Sequence, residues 1–135
     1  MKPSLAAGVR ATTKLTVDRA RTIDFMGEKA RVYATPMLVR DVEIACRELI
    51  LRHLDPGEDS VGTRVELDHL AATLLGMPVE IDVTIAEVKG RAVTLDVAGR
   101  DGVEAICRGR HHRFVVDVKK TEERLAAKAQ KAGIA

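Results

Sequence analysis

Three polar side chains stand out by position: Thr35, Glu43 and His69 fall in the most patterned stretch of the chain, where apolar periodicity predicts buried or half-buried surface. Polar groups in such places need a chemical reason, because burial without a partner is costly. Thr35 opens an amphipathic segment, Glu43 lies about two turns further into it, and His69 falls on the apolar face of the strand that follows. A hydroxyl, a carboxylate and an imidazole directed toward one cleft could perform acyl transfer, with one group activating the attacker and the others orienting and polarising.

Each residue also has a plainer reading. Thr35-Pro36 is a helix start signal, in which threonine caps free backbone amides for about 1 kcal/mol and proline at the first helical position loses no needed donor. Glu43 stands four residues before Arg47, the spacing of an intrahelical ion pair worth about 0.2–0.5 kcal/mol. His69 shares its strand face with Val65 and Leu67, so it also reads as a core histidine.

The elements that must position these groups follow from periodicity. Residues 8–17 alternate as a half-buried strand, with Val9, Ala11, Leu15 and Val17 on one side. Residues 18–34 show no sustained period and hold the scarce bulky groups Phe25, Met26 and Tyr33, as either a flap over an apolar ligand or a loop pinned to the core. From Thr35, the positions Leu38, Val42, Ala45, Cys46, Leu49, Ile50 and His53 form one helical stripe, ended by Asp55-Pro56-Gly57. Three strand patterns follow around Val65–His69, Val79–Ile85 and Val93–Val97, with hairpin signals at Lys89-Gly90 and Asp101-Gly102.

A last strand from about Val103 to Val118 changes phase, apolar at odd positions first and then at Phe114, Val116 and Val118, which predicts a bulge near Gly109 to His112. Residues 119–135 form a peripheral helix or tail of what reads as one domain over residues 1–135. One long helix against a curved antiparallel sheet is an α+β domain, and an unpaired sheet edge invites a second subunit.

Composition narrows the function classes. Apolar residues make up 46% of the chain but aromatics only 2%, so the core must be built from Val, Leu, Ile, Ala and Met, and partner packing or a bound ligand would complete it. A net charge of +2 gives no strong nucleic-acid footprint, and scarce aromatics remove base-stacking platforms. Cys46 and Cys107 lack metal-site spacing and read as reduced core thiols. No segment approaches the length of a membrane span and the first residues lack a signal-peptide core, so a soluble, cytoplasmic protein is expected.

Taken jointly, several motifs resemble the fluoroacetyl-CoA thioesterase family of hotdog-fold proteins. They are Tyr33-Ala34-Thr35-Pro36-Met37-Leu38-Val39, Glu43-Ile44-Ala45-Cys46, the run 54–63 (LDPGEDSVGT), His69-Leu70-Ala71-Ala72-Thr73, Gly76, Asp101-Gly102 and Gly109-Arg110-His111-His112-Arg113. The resemblance implies a hotdog fold, a curved sheet wrapped around one long central helix. It implies a homodimer joined edge to edge, with a dimer of dimers as a further assembly, and acyl-CoA bound at the subunit junction. It maps the family's threonine, glutamate and histidine onto Thr35, Glu43 and His69, its binding glycine onto Gly62, and an arginine beside the acyl pocket onto Arg113.

Read without the resemblance, Gly62 is a bulge or turn at a strand start, or a side-chain-free floor where a carbonyl meets backbone N–H groups. Arg113, with Arg108, Arg110, His111 and His112, is a solvated cationic strand, a gate to the acyl pocket or a partner for CoA phosphates. The expected function is hydrolysis of a short or branched acyl-CoA, with Glu43 as base or nucleophile and Thr35 and His69 assisting. No metal or organic cofactor is needed beyond the coenzyme A of the substrate. The rival class is a noncatalytic acyl-CoA-binding or sensing dimer; a hotdog dehydratase or hydratase is the third, and no matching Asp and His motif is present. Loop 18–34 matches the family poorly, which favours a broader acyl range than fluoroacetyl.

Overall fold

The computed structural model describes residues 1–134; Ala135, the last residue of the expected tail, lies outside them. The chain runs β1 (Arg10–Thr16), two 3-10 turns (Arg19–Arg21 and Glu28–Ala30), α1 (Thr35–Leu51), β2 (Glu58–His69), β3 (Pro78–Lys89), β4 (Ala92–Asp101), β5 (Ala105–Asp117) and α2 (Val118–Ala132). One antiparallel sheet has the order β1-β3-β4-β5-β2. The hairpins expected at Gly90 and Asp101-Gly102 join β3, β4 and β5, while β2 crosses to the far edge and pairs only with β5.

The sheet curls around α1, which touches β1, β2, β3 and β5. The expected stripe is buried at Leu38, Val42, Ala45, Cys46, Leu49 and Ile50, in one core cluster with Val79, Ile81, Val83 and Ile85 of β3 and Val93, Leu95 and Val97 of β4. Each fully buried aliphatic side chain contributes about 1.5–3 kcal/mol, so helix and sheet hold one another. Both cysteines are buried free thiols, and burial pushes them up to about 12 for Cys46 and about 11 for Cys107, which keeps them protonated at neutral pH. Among the described residues no helix is long and apolar enough to cross a membrane.

The phase change expected in β5 is not there. His111, Arg113 and Val115 all point inward, while Phe114 is 43% exposed. Two polar residues occupy inward positions because they satisfy one another, which apolar counting cannot detect. The register breaks lie elsewhere: Gly62 and Arg64 of β2 face the consecutive residues Arg113 and His112, so the extra residue is Thr63 on the partner strand. Gly99 and Arg100 face Cys107 and Ala105, so Ile106 is a second extra residue at the start of β5, and Ala86, between Ile85 and Glu87 of β3, is a third.

Loop 18–34 is pinned rather than free. Tyr33 is buried, and its hydroxyl donates to Asp41, a carboxylate only 4% exposed on α1. Arg21 closes the network with two bonds to Asp41, at 2.9 and 3.1 Å. Phe25 and Met26, the other two bulky groups of this loop, stay exposed. At the other end of the chain, α2 buries none of its described side chains.

Candidate functional site

Thr35 is the first residue of α1, and Ala34 is the N-cap, with no side-chain capping bond. The capping role read from Thr35-Pro36 is therefore corrected. The hydroxyl is free for another partner, and Thr35 Oγ1 lies 2.8 Å from His69 Nδ1. His69 ends β2, inward beside Cys107 in the register. Its ring meets Tyr33 edge-on, with centroids 6.5 Å apart and an interplanar angle of 82°, and Tyr33 is itself fixed through Asp41.

Burial holds the His69 imidazole below its ordinary pKa, in the neutral form at neutral pH. Its Nε2 is buried with no hydrogen-bond partner among the described residues, an exception that calls for a ligand or a neighbouring molecule. Thr35 and His69 border an open cleft of about 390 Å³ whose wall mixes these polar groups with Ile23, Phe25, Val32 and Leu70.

Glu43 belongs to a second cluster. The Arg47 ion pair expected for it does not form, because Arg47 instead makes two bonds to Asp59, at 3.0 and 2.7 Å. The Glu43 carboxylate leans over Gly62, where an added Cβ would overlap Oε1 and come within 3.2 Å of His111 Cε1. Bulging at Thr63 turns Gly62 to this inner side, opposite Arg113.

Arg113, only 5% exposed, is not the solvated cation of the plain reading. Its Nε donates to Ser60 Oγ at 2.8 Å, Nη2 to the Ser60 carbonyl at 2.6 Å and Nη1 to His111 Nε2 at 3.1 Å. Glu43 Oε1 stands 3.9 Å from Arg113 Nη1 and 3.7 Å from His111 Nε2. The carboxylate is half exposed and faces a cleft of about 320 Å³ with Ile44 and Val61 at its lip.

Sequence reasoning placed Thr35, Glu43, His69, Gly62 and Arg113 in one site, and within one chain they make two. Thr35 and His69 meet, as do Glu43, Gly62 and Arg113, but the eight residues of helix from Thr35 to Glu43 set the clusters about 12 Å apart. Sequence reasoning missed Ser60, Asp41 and the inward role of His111. The usable signal was spacing: His111 and Arg113 share a strand face, and a face with two polar hydrogen-bonding groups must meet partners.

Comparison with known proteins follows the same lines. Residues 17–119 match the family described as fluoroacetyl-CoA-specific thioesterase. A fluoroacetyl-CoA thioesterase from Streptantibioticus cattleyicolor is 31% identical over 95% of this chain and 97% of its own. A crystallised mutant of a fluoroacetyl-CoA-specific thioesterase superposes with a TM-score of 0.86 at 30% identity, over 94% of this chain and 99% of that one. A Thermus thermophilus member of the thioesterase superfamily superposes with a TM-score of 0.90 at 28% identity, covering both chains fully. With its α1-filled curved sheet and its match along most of its length, the chain belongs to the fluoroacetyl-CoA-specific thioesterase family, hotdog-fold hydrolases of thioesters.

Proposed function

We propose that the protein is a cytoplasmic acyl-CoA thioesterase that works as a homodimer, each active site drawing on both subunits. The observation that carries this reading is the division of the site along one exposed edge strand. β2 is the sheet edge, and residues 61–66 are all exposed. Antiparallel pairing of β2 with its own copy, on a two-fold axis at Glu66 and with Thr63 left as the extra residue, pairs like-facing positions and sets His69 opposite Gly62 of the partner subunit. Both positions face the inner side of the sheet, so Thr35 and His69 would meet Glu43 of the partner subunit. The unpaired Nε2 of His69 supports an occupant at that junction.

In this arrangement Thr35 donates its hydroxyl hydrogen to His69 Nδ1, which leaves Nε2–H to polarise the thioester carbonyl. Glu43 takes a proton from the attacking water, or attacks the carbonyl itself to give an anhydride that water opens. Either route breaks the carbon–sulfur bond and releases CoA as a thiolate, a good leaving group. Gly62 leaves room for the carbonyl to reach backbone N–H groups, and Arg113 supplies positive charge beside Glu43. The scheme needs water and the acyl-CoA, with no metal or organic cofactor. The apolar wall of Ile23, Phe25, Val32 and Leu70 supports short or branched acyl chains rather than fluoroacetyl alone. A relative crystallised with fluoroacetate and CoA supports the substrate class.

The test is thiol release from a panel of acyl-CoAs, with Glu43→Gln and His69→Ala assayed separately and mixed after subunit exchange. Each variant should be nearly inactive alone. A statistical mixture should recover about a quarter of wild-type turnover, because half of the dimers then carry one intact site. No recovery would place the site within one subunit, and tight binding without turnover by wild type would make the protein a binder or sensor.

A further inference from the structure

His111 is fully buried on β5, behind the carboxylate proposed to do the chemistry. Its two ring nitrogens have partners that determine its state. Nδ1 lies 2.9 Å from the Arg64 carbonyl oxygen, which can only accept, so Nδ1 carries the hydrogen. Nε2 lies 3.1 Å from Arg113 Nη1, which can only donate, so Nε2 presents a lone pair. A neutral imidazole with hydrogen on Nδ1 is the one form that satisfies both. We infer that His111 is the positioning residue of the Glu43 site: in this neutral form it holds Arg113 beside the carboxylate, and on protonation it exchanges Arg113 for Glu43. The inference rests on the thioesterase reading and on the role given there to Glu43.

The exchange follows from the geometry. A proton from solvent on Nε2 turns that nitrogen into a donor aimed at a donor, and places two cations 3.1 Å apart. The acceptor in reach is Glu43 Oε1, 3.7 Å away. The imidazolium then holds the carboxylate, which loses basicity and nucleophilicity, while Arg113 keeps its bonds to Ser60 and loses the one that aims Nη1. From α1 the charged group facing the ring is Glu43, with the Cys46 thiol and Arg47 acting on Arg113; from β2 the neutral Arg64 carbonyl faces the ring and Asp59 acts on Arg113; on β5 itself Arg113 and His112 act, and the β4 neighbour in register is Leu95. Desolvation is the largest influence and disfavours the imidazolium, so the neutral form prevails at neutral pH and the exchange belongs to the acid side.

Three measurements test this. Nitrogen NMR of the histidine rings in the wild-type protein at about pH 7.5 should show His111 as the Nδ1–H tautomer, with the bare nitrogen protonating only below the ordinary histidine range. His111→Gln, whose side-chain oxygen can accept from Arg113 but does not titrate, should keep turnover within about threefold of wild type on the alkaline side and lose the histidine step from the acid limb of kcat. His111→Leu, with no acceptor, should lower kcat by about tenfold or more with a smaller change in KM. An Nε2–H tautomer in the wild type, or an unchanged acid limb in His111→Gln, would overturn the inference even if His111→Leu failed to fold. Should wild type release no thiol from any acyl-CoA, the thioesterase reading fails, and the NMR tautomer alone then decides the state assigned to His111.

Discussion

The two ends of α1 present opposite solutions to holding polar groups beside a core. At the N-terminal end Thr35 and His69 share one hydrogen bond, leave Nε2 unpaired among the described residues and stand at an open cleft of mixed polar and apolar lining. Two turns on, Glu43 faces the buried Arg113 guanidinium, whose donors are directed to Ser60 and to the neutral His111. The first end is unsaturated and suited to take hold of a carbonyl. The second is nearly saturated and suited to fix the charge and direction of one carboxylate. A polar pair can therefore be kept reactive by leaving it short of partners, or kept exact by supplying it with all of them.

Substitutions can break this contrast, the largest effect first. Glu43→Gln removes the one movable group of the saturated end, and kcat should fall by about 10²–10⁴ while circular dichroism and Tm stay near wild type, since the side chain is half exposed. Gly62→Ala would keep the carboxylate but push it from its place above the strand; a fall in kcat of about tenfold or more is expected, and an unchanged kcat would show that the close approach is incidental.

Thr35→Ala deletes the single bond of the open end. It should lower kcat about tenfold and stability by less than about 0.5 kcal/mol, as no cap is lost, and Thr35→Ser should restore most of the activity. A stability loss of about 1 kcal/mol in urea titration would instead restore the capping role.

The smallest effect concerns pH and stability. Burial holds both His69 and His111 below their ordinary pKa, so the unfolded chain binds more protons than the folded one just below about pH 6.5. Their contribution is present above that value and declines as pH falls toward the folded values, before the depressed carboxylates Asp59, Asp82 and Asp101 begin to titrate. Tm should therefore drop modestly from about pH 7.5 to 5.5, and less in His111→Gln than in wild type. An equal drop in both proteins would assign the effect to His69 or elsewhere.

Much of the fold was legible because burial here follows simple periods. The α1 stripe and the alternations of β3 and β4 needed no partner knowledge, and Leu38 through Ile50 lie where spacing put them. Prediction failed where polar groups bury each other. Counting apolar residues in β5 favoured Phe114 and Val116 over His111 and Arg113, yet the inward pair is paid for by Ser60 and the Arg64 carbonyl, on another strand. Asp41 was hidden for the same reason, its partners Arg21 and Tyr33 lying in a loop without periodicity. The five candidate residues were singled out through the family pattern, while the split within one chain into Thr35 with His69 and Glu43 with Gly62 and Arg113 depends on distance along α1, which no motif displays.

Thr63, the extra residue of β2, has a consequence of another kind. Alternation along a strand is a parity, and one inserted residue reverses it for everything on one side. Because of Thr63, Ser60 and Gly62 face inward and Val61 outward, whereas from Arg64 to His69 the odd positions face inward. Loss of Thr63 would leave all five proposed site residues in the chain and yet turn Ser60 and Gly62 toward solvent and Val61 toward Glu43. The candidate site is thus specified by chain length as much as by residue type, and a lineage could lose it through a single three-base deletion that touches none of the five proposed residues.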